Sequence, residues 1–469
     1  MVGASVARKR SGRMLRRGSQ DRAARFRAGR ELRRRLRRSA QAAWEAPADR
    51  PDPVELLARG DRNRIPELLP IRYGRMLASP FGFLRGAARI MARDLAGLPV
   101  TGLKVQLVGD AHLANFGLFA TPERDRVFDA NDFDETTEGP WEWDLKRLGT
   151  SLVLVGRQNE FPAWVGPEAV ETAVRAYRSR VRAYARMAYL DVWYAHLDLA
   201  EASREVGRKA VRFLEAGLPR ARERTSFHAF PKLATVRGHR ARIRDAPPLI
   251  RHYASGASEA IVRNAFARYR AMLPVERQRL FDRYTLADVA QKVVGVGSVG
   301  TRCAIGLFLG DEDLLEPLFL QVKEADPSAY EPFLGLSPFA NHAERVVVGQ
   351  RLVQEASDIF LGWATAGGHD FYVRQLRDMK FASDVSTLGP SQLLGEAELC
   401  GAALARAHAR TGDPAEIAGY LGGGTSMDAA VARFAERYAA QTEADHAAFV
   451  RAVRRGRIPA VTLPARRGR

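Results

Sequence analysis

Cysteine is nearly absent from this 469-residue sequence, which contains only Cys303 and Cys400. Two cysteines about 100 positions apart provide neither a disulfide framework nor the close ligand pairs of a zinc site. We therefore expect neither a disulfide-rich secreted domain nor a structural zinc site. A reducing, cytoplasmic location fits this composition.

Long apolar runs are also missing, although 46% of the residues are hydrophobic. No stretch approaches the roughly 18 apolar residues that a transmembrane helix needs. The N-terminus carries basic residues without the apolar segment of a signal peptide. The sequence thus predicts no membrane span and no secretion.

Negative charge is scarce near the N-terminus. The first 40 residues hold 15 Lys or Arg against only Asp21 and Glu31, and they supply +13 of the formal net charge of +19. The run Arg33–Arg38 has the charge for weak, non-specific contact with nucleic acid or an anionic membrane. Phe26 is the one aromatic residue in these 40 that is suited to base stacking. We therefore expect a basic, solvated and partly helical tail over residues 1–50.

The residues that carry chemistry begin in the stretch VGDAHLANFG, residues 108–117. Residues 103–108 are mostly apolar and predict a buried strand, which a glycine ends just before Asp110. Asn115 follows five residues later. A predicted hairpin then returns to three carboxylates, those of Asp129, Asp132 and Asp134. Carboxylate and amide oxygens are the hard ligands that magnesium prefers.

Phosphoryl transfer from a nucleotide requires this inventory of side chains. An Asp orients or deprotonates the acceptor hydroxyl, and an Asn and a second Asp hold Mg²⁺ on the phosphates. Asp110 suits the first role, and Asn115 with one of the three later Asp residues suits the second. An alternative stays open, because Asp and Asn also cluster in ordinary turns. His112 either takes part in catalysis or pins the loop.

The pattern G-D-x-H-x-x-N, followed by a strand that ends in D-F-D, resembles the catalytic and metal loops of aminoglycoside and choline phosphotransferases. These enzymes belong to the protein-kinase-like superfamily. The gap of 12 residues from Asp132 to Asp144 is similar to the gap they leave between the metal-binding Asp and a buried Asp that opens the next helix. The resemblance implies Asn115 and Asp132 as metal ligands. Val108 departs from the pattern, since the superfamily usually has His there.

A short helix is predicted upstream of this loop, with Ser79 as N-cap and Pro80 at its first position. Arg75 and Arg85 flank the start of this helix and are within reach of a bound phosphate. The alternative is that both are solvated, as exposed arginines on helices usually are.

A glycine-rich stretch follows far along the chain. A β-rich run from Lys292 enters G-x-G-x-x-G at 295–300, and further strands are predicted at 302–309 and 318–325. In a dinucleotide-binding unit this motif opens a helix. Here strands flank it, as in the glycine-rich loop and Lys strand of kinases. The hairpin alone is more typical of a tight turn than of a nucleotide-binding loop, and the presence of Lys323 reverses that preference. Backbone amides of such a loop approach phosphate oxygens, so we expect phosphate contacts from Gly295, Gly297, Ser298, Gly300 and Lys323.

The residues around and after Lys323 can also be compared with the kinase pattern. Gln321 departs from the small residue that kinases generally have two positions before the Lys. A helix predicted over 341–354 supplies Glu344, or Glu355 just beyond it, as the acidic partner of Lys323. The spacing favours Glu344, and a solvated glutamate is the alternative. The remaining predicted elements are an extended segment at 227–250, a strand at 371–376, a hinge at 377–380, a long helix at 392–410 and a last helix at 427–453.

These parts together resemble a kinase-like fold in rotated order, because the catalytic loop comes first along the chain and the long helix comes last. We predict an α+β, two-lobed, protein-kinase-like fold that is circularly permuted. The predicted units are a tail at 1–50, a helical large lobe at 51–285, a small β-rich nucleotide-binding lobe at 286–380, and helices at 381–469 that return to the large lobe. The ordered motifs are also similar to the bacterial family catalogued as domain of unknown function 2252, whose name implies no activity.

The kinase-like resemblance implies a phosphotransferase that uses ATP and Mg²⁺ and acts on a small-molecule or protein hydroxyl. Its partners would be the nucleotide and that acceptor. Three alternatives stay open: an adenylyl transferase, a nucleotide-binding regulatory pseudoenzyme, and a metal-dependent hydrolase. The hydrolase would use Asp110, His112 and the carboxylates at 129–134, and it would leave Lys323 and the glycine-rich hairpin without a role.

Overall fold

A computed structural model describes residues 21–197, 207–222, 225–237, 240–310, 316–376 and 382–461. The protein is of the α+β class, and helices predominate. The helices are α1 (Arg22–Arg35), α2 (Pro53–Gly60), α3 (Leu69–Leu77), α4 (Pro80–Gly86), α5 (Ala88–Ala96), α6 (Glu142–Gln158), α7 (Val165–Tyr184), α8 (Tyr189–Tyr194), α9 (Arg208–Arg222), α10 (Ser226–Leu233), α11 (Gly256–Arg270), α12 (Val275–Phe281), α13 (Glu331–Leu334), α14 (His342–Val353), α15 (Pro390–Thr411), α16 (Pro414–Leu421) and α17 (Ser426–Arg454).

The strands are β1 (Lys104–Leu107), β2 (Phe116–Ala120), β3 (Arg126–Ala130), β4 (Thr137–Pro140), β5 (Ala234–Arg237), β6 (Arg240–Ile243), β7 (Ile250–Arg251), β8 (Thr285–Lys292), β9 (Cys303–Leu309), β10 (Pro317–Glu324), β11 (Gly362–Ala366) and β12 (His369–Gln375). Over the described ranges, no helix combines the length and the apolar character needed to cross a membrane.

The largest sheet is six-stranded and antiparallel, in the order β11-β12-β10-β9-β8-β7. One of its faces packs Leu320 and Val322 against Phe266 of α11. Because side chains alternate along a strand, Lys323 lies on the other face, opposite Tyr372 in the β10–β12 register. Tyr372 belongs to the main core of the helical part. The sheet therefore presents Lys323 to the helices.

The helical core is built from helices that precede the six-stranded sheet in sequence and from helices that follow it. Helices α6 and α7 precede the sheet in sequence, α15 and α17 follow it, and all four pack together. A Cβ at Gly401 would lie 2.0 Å from the carbonyl oxygen of Ala173, so α15 and α7 can cross this closely only at a glycine. Segments far apart in sequence thus contribute to the same hydrophobic core.

The basic N-terminal segment is part of this fold from residue 22 onward, which corrects the expectation of a solvated tail over 1–50. Helix α1 crosses α16 so closely that a Cβ at Gly29 would lie 1.9 Å from the Glu416 carbonyl oxygen. Arg33 and Arg38 donate to carbonyl oxygens in the last turn of α16, at Gly419, Tyr420 and Leu421. Cations at a helix C-terminus are stabilising. Residues 1–20 lie outside the described part of the chain.

Two other predicted elements differ from the structure, one strand is additional, and one segment is not described. The segment at 227–250 begins in helix α10 and only then forms the β5–β6 hairpin, because its apolar residues bury one helical face. Strand β8 ends at Lys292, so the glycine-rich stretch is a loop and not the end of a strand. Strand β11 was not predicted, and the predicted hinge at 377–380 lies outside the described residues.

Other boundaries agree with the predicted elements. Ser79 accepts a hydrogen bond from the Gly82 amide and caps α4, whose first residue is Pro80. Helices α14, α15 and α17 begin and end within about two residues of the predicted bounds, as is usual for helix ends.

Arg50 joins three distant parts of the helical region. Its guanidinium forms paired hydrogen bonds with Asp94 of α5, at 2.9 and 2.8 Å, and with Asp445 of α17, at 2.8 and 2.6 Å. The side chains of all three residues are less than a tenth exposed. The Tyr438 hydroxyl also donates to Asp94, at 2.7 Å. One buried cation thus compensates two buried carboxylates.

We predict that Arg50→Met lowers the free energy of unfolding by about 3–5 kcal/mol, because it leaves two buried carboxylates without a cation. Denaturant unfolding monitored by circular dichroism would measure the loss. Arg59→Met is the matched control, since Arg59 forms an exposed pair with Glu55, and its cost should be below about 1 kcal/mol. Equal costs for the two variants would contradict a structural role for the buried cluster.

Candidate active site

The loop that carries Asp110 is fixed by a buried hydrogen-bonded chain. The amides of Val108 and Gly109 donate to the carboxylate of Asp144, at 2.7 and 3.0 Å. The same carboxylate lies 3.2 Å from His408 Nε2, and His408 Nδ1 lies 2.9 Å from the Tyr177 hydroxyl. Asp144 is in the first turn of α6 and is almost fully buried. It therefore has the buried position expected from its spacing to Asp132.

Gly109 is needed at the turn into Asp110. Its φ is +89°, and a Cβ there would lie 2.2 Å from the Glu135 carbonyl oxygen. Both facts exclude a side chain, since L residues rarely adopt positive φ. The loop thereby brings Asp110 and the acidic turn at 131–135 into contact.

Asp110 lies between an arginine and a histidine. It forms an ion pair with the fully buried Arg147 of α6. His112 Nε2 lies 3.6 Å from the other carboxylate oxygen. Burial lowers the pKa of His112 well below its usual value, and the charges of Arg85 and Arg147 act in the same direction. Burial raises the pKa of Asp110, while Arg147 and Arg85 oppose that rise.

Asn115 is held to the same loop. Its side-chain NH₂ donates to the Asp110 carbonyl oxygen at 2.7 Å. Because the amide nitrogen is engaged, the amide oxygen is the atom left to bind a ligand. Asn115 and Asp110 line one cavity with Asp132.

Lys323 meets the acidic turn through two carboxylates. Its Nζ forms an ion pair with Asp134 and lies 3.6 Å from Asp132 Oδ1. Asp134 also accepts hydrogen bonds from the Tyr372 hydroxyl at 2.8 Å and the Ser298 hydroxyl at 3.2 Å. Burial acts to raise the pKa of Asp134, but Lys323 and Tyr372 hold it below its usual value.

The pKa of Asp132 is shifted in the opposite direction to that of Asp134. Burial and the charge of Asp134 raise the pKa of Asp132. Its Oδ1 is buried and accepts no hydrogen bond. The Lys323 ammonium, 3.6 Å away, is too distant for a hydrogen bond to this oxygen. A buried carboxylate oxygen without a hydrogen bond is costly, and a metal ion would satisfy it. Among the described residues, no group of three His, Cys, Asp or Glu forms a metal site. Mg²⁺, however, often takes only one or two protein ligands and completes its shell with phosphates and water, so Asn115 and Asp132 fit that ion.

Three arginines of the N-terminal helical region bind carbonyl oxygens of the glycine-rich loop. Arg72 donates to Val296 and Gly297, at 2.8 and 3.0 Å. Arg75 donates to Val294 and Gly295, at 2.6 and 2.9 Å, and Arg64 donates to Val299 at 2.7 Å; none of these contacts was predicted. They hold the loop against α2–α4. A Cβ at Gly297 would lie 3.4 Å from the Arg85 carbonyl oxygen and 4.0 Å from an oxygen of Asp110.

The loop, the acidic turn and the N-terminal helices enclose a cavity of about 120 Å³. Ligand pockets for molecules of nucleotide size usually measure about 300–1,000 Å³. The cavity therefore has room for a group of phosphate size, and a whole nucleotide requires the loop and the N-terminal helices to separate. The predicted site residues that line it are Asp110, His112, Asn115, Asp132, Gly295, Gly297 and Ser298.

The structure does not bring Glu344 or Glu355 to Lys323. Glu344 lies in the first turn of α14, half-buried, and its amide donates to the Asn341 side chain. Glu355 accepts from the Leu197 amide, and burial raises its pKa to about 7. Asp132 and Asp134 supply the negative charge to Lys323 instead. The buried face of α14 presents the next residue, Arg345, which donates to the Asp134 carbonyl oxygen at 2.8 Å.

Two contributors were not assigned roles from the sequence. Asp134 belongs to the D-F-D motif, but the spacing to Asp144 favoured Asp132. Arg147 gives a weak signal, because it is one of four charged residues in the first two turns of α6, beside Glu142, Asp144 and Lys146. Its partner Asp110 lies 37 positions earlier, so the sequence does not identify it.

The end of α15 meets β1, the strand that precedes Asp110. The Gln106 amide donates to the Thr411 hydroxyl at 3.1 Å, across 305 positions of sequence. A Cβ at Gly412 would lie 2.7 Å from the Val105 side chain and 3.1 Å from the Lys104 carbonyl oxygen. Helix α15 thus finishes beside β1, the strand that leads to Asp110.

Comparison with known proteins gives a family without an assigned activity. No curated protein and no solved structure matches the chain significantly. Residues 64–452 match the family model described as an uncharacterized protein conserved in bacteria, DUF2252. This match covers more than half of the chain and includes the loop, the acidic turn and the glycine-rich stretch described above. The protein therefore belongs to the DUF2252 family.

Proposed function

We propose that the protein is an ATP- and Mg²⁺-dependent phosphotransferase that acts on a hydroxyl group. One observation carries the proposal: Lys323 and Asp132 are 191 positions apart in sequence, yet their charged atoms lie 3.6 Å apart beside the cavity that Asp110 and Asn115 line. A phosphate-binding cation, two Mg²⁺ ligands and an acceptor-orienting carboxylate are the groups that phosphoryl transfer requires.

Each of these residues has a part that its contacts support. Asp110 accepts a hydrogen bond from the acceptor hydroxyl and takes its proton as the new bond forms. Arg147 holds that carboxylate in place. Bound to Asn115 and Asp132, Mg²⁺ would neutralise phosphate charge. Lys323 binds phosphate oxygens by giving up part of its contact with Asp134.

The arrangement along the chain supports a circularly permuted kinase-like fold. The glycine-rich loop, the Lys strand β10, helix α14 and strand β12 occur in the order that kinases use. The junction of α15 with β1 is where an unpermuted chain would run directly from its long helix into its catalytic loop. A protein that had these segments on separate domains would have no reason to form this contact.

The alternatives differ in what they leave unexplained. A metal-dependent hydrolase gives no role to Lys323 or to the loop over Asp110. A nucleotide-binding pseudoenzyme is favoured by one contact, the ion pair between Asp110 and Arg147, which weakens the carboxylate as a base. An adenylyl transferase uses similar groups on a reversed nucleotide. Transfer of label from γ-labelled ATP supports phosphoryl transfer, and transfer from α-labelled ATP supports adenylylation.

We predict that Mg-ATP at about 100 times its dissociation constant stabilises the protein by roughly 2.7 kcal/mol. Lys323→Ala and Asp132→Ala should each reduce the resulting rise in melting temperature, because each removes a phosphate or metal contact. Lys104→Ala is the matched control, since Lys104 is exposed on β1, and its shift should equal that of the unaltered protein. Full shifts in both site variants would remove Lys323 and Asp132 from the nucleotide site.

We predict that Asp110→Asn reduces the transfer rate by about 10²- to 10⁴-fold, the usual contribution of a positioned base. The Mg-ATP-dependent rise in melting temperature should be retained, because Asp110 is assigned to the acceptor and not to the nucleotide. Asp125→Asn, in the exposed turn between β2 and β3, controls for the loss of one carboxylate. A fully active Asp110→Asn variant would refute the assignment.

A further inference from the structure

Arg85, at the end of α4, lines the same cavity and has no acidic or hydrogen-bonding partner among the residues that the structure describes. Its Nε is shielded from solvent. Its guanidinium lies over the face of Phe81, at 5.9 Å from the ring centroid. Arg85 is half-buried, and no carboxylate of the described residues forms an ion pair with it. Partial burial of a cation is costly when no anion binds it directly, so an anion in the cavity would stabilise this position.

Neighbouring arginines do have carboxylate partners. Arg64 and Arg72 each pair with Asp61, at 2.7 and 3.1 Å, and Arg147 pairs with Asp110. The charges that act on Arg85 are those of Asp110 and Asp132, neither of which forms an ion pair with it. These are the residues assigned above to the acceptor hydroxyl and to the metal. Arg85 lines one cavity together with these two residues.

The backbone of Arg85 is fixed on both sides by these same arginines. The Leu84 carbonyl oxygen accepts from Arg147 at 2.9 Å, and the Gly86 carbonyl oxygen accepts from Arg72 at 2.6 Å. Arg147 also holds Asp110, and Arg72 also holds the glycine-rich loop. The same two arginines therefore fix the backbone beside Arg85, the Asp110 carboxylate and the glycine-rich loop.

We propose that Arg85 binds the terminal phosphate of the nucleotide, the group that is transferred. This inference rests on the proposed function. A guanidinium binds phosphate oxygens through two parallel hydrogen bonds, and the cavity has the volume of such a group. In the transfer, the acceptor oxygen forms a bond to the terminal phosphorus, the bond from that phosphorus to the nucleoside diphosphate breaks, and the hydroxyl proton passes to Asp110. Arg85 binds the charged group throughout.

The test compares Mg-ATP with Mg-ADP, because only ATP carries the terminal phosphate. Calorimetry should show that Arg85→Met weakens Mg-ATP binding by roughly 10- to 100-fold, the range for loss of charge-assisted hydrogen bonds, and leaves Mg-ADP binding unchanged. Arg85→Lys should restore part of the affinity for Mg-ATP. Arg93→Met, on the exposed face of α5, removes the same charge nearby and should change neither ligand. Circular dichroism of each variant establishes that it is folded.

Equal weakening of both nucleotides, or no weakening of either, would overturn the assignment of Arg85 while the proposed function stands. If the unaltered protein binds neither nucleotide with Mg²⁺, the proposed function fails, and inorganic phosphate decides the inference separately. Phosphate-dependent stabilisation that Arg85→Met abolishes and Arg93→Met retains would support an anion site at Arg85. No phosphate effect in the unaltered protein would refute it.

Discussion

The contact of one buried ammonium with two carboxylates connects the sheet to the helical part of the protein. Lys323 is almost fully buried on β10, and Asp132 and Asp134 follow β3 far earlier in the chain. A buried lysine is unfavourable without compensating charge, so the sheet and the acidic turn are held in this relation. The position of the glycine-rich loop near Asp110 depends on the same contact, because the loop connects β8 to β9, and β9 pairs with β10.

A second constraint acts from the helical side. Asp144 binds two amides of the loop that carries Asp110, and His408 of α15 contacts Asp144. The loop is therefore positioned by a helix that follows it and by a helix from the other end of the chain. Each half of the chain therefore supplies groups to the site that the other half lacks.

The local features of the site could be predicted from the sequence, and its long-range partners could not. The strand before Asp110, the five-residue step to Asn115 and the strand carrying Lys323 follow from apolar patterning and from glycine positions. The prediction of Glu344 rests on the kinase resemblance and on its spacing from Lys323. Neither determines the rotation of α14 against the sheet, and that rotation turns Arg345 toward the site. The contacts of Arg72 span 224 positions. No local pattern distinguishes such an arginine from a solvated one.

The hydrogen bonds from arginines to the glycine-rich loop orient the peptide dipoles of that loop. In a planar trans peptide the C=O and the N–H point in opposite directions. Because Arg72 draws the carbonyls of Val296 and Gly297 toward itself, the N–H groups of Gly297 and Ser298 point away from that arginine. Successive peptide dipoles in this stretch therefore share one orientation before any ligand arrives. An anion that meets aligned N–H groups loses less free energy to reorganisation of the loop than one that must turn each peptide itself.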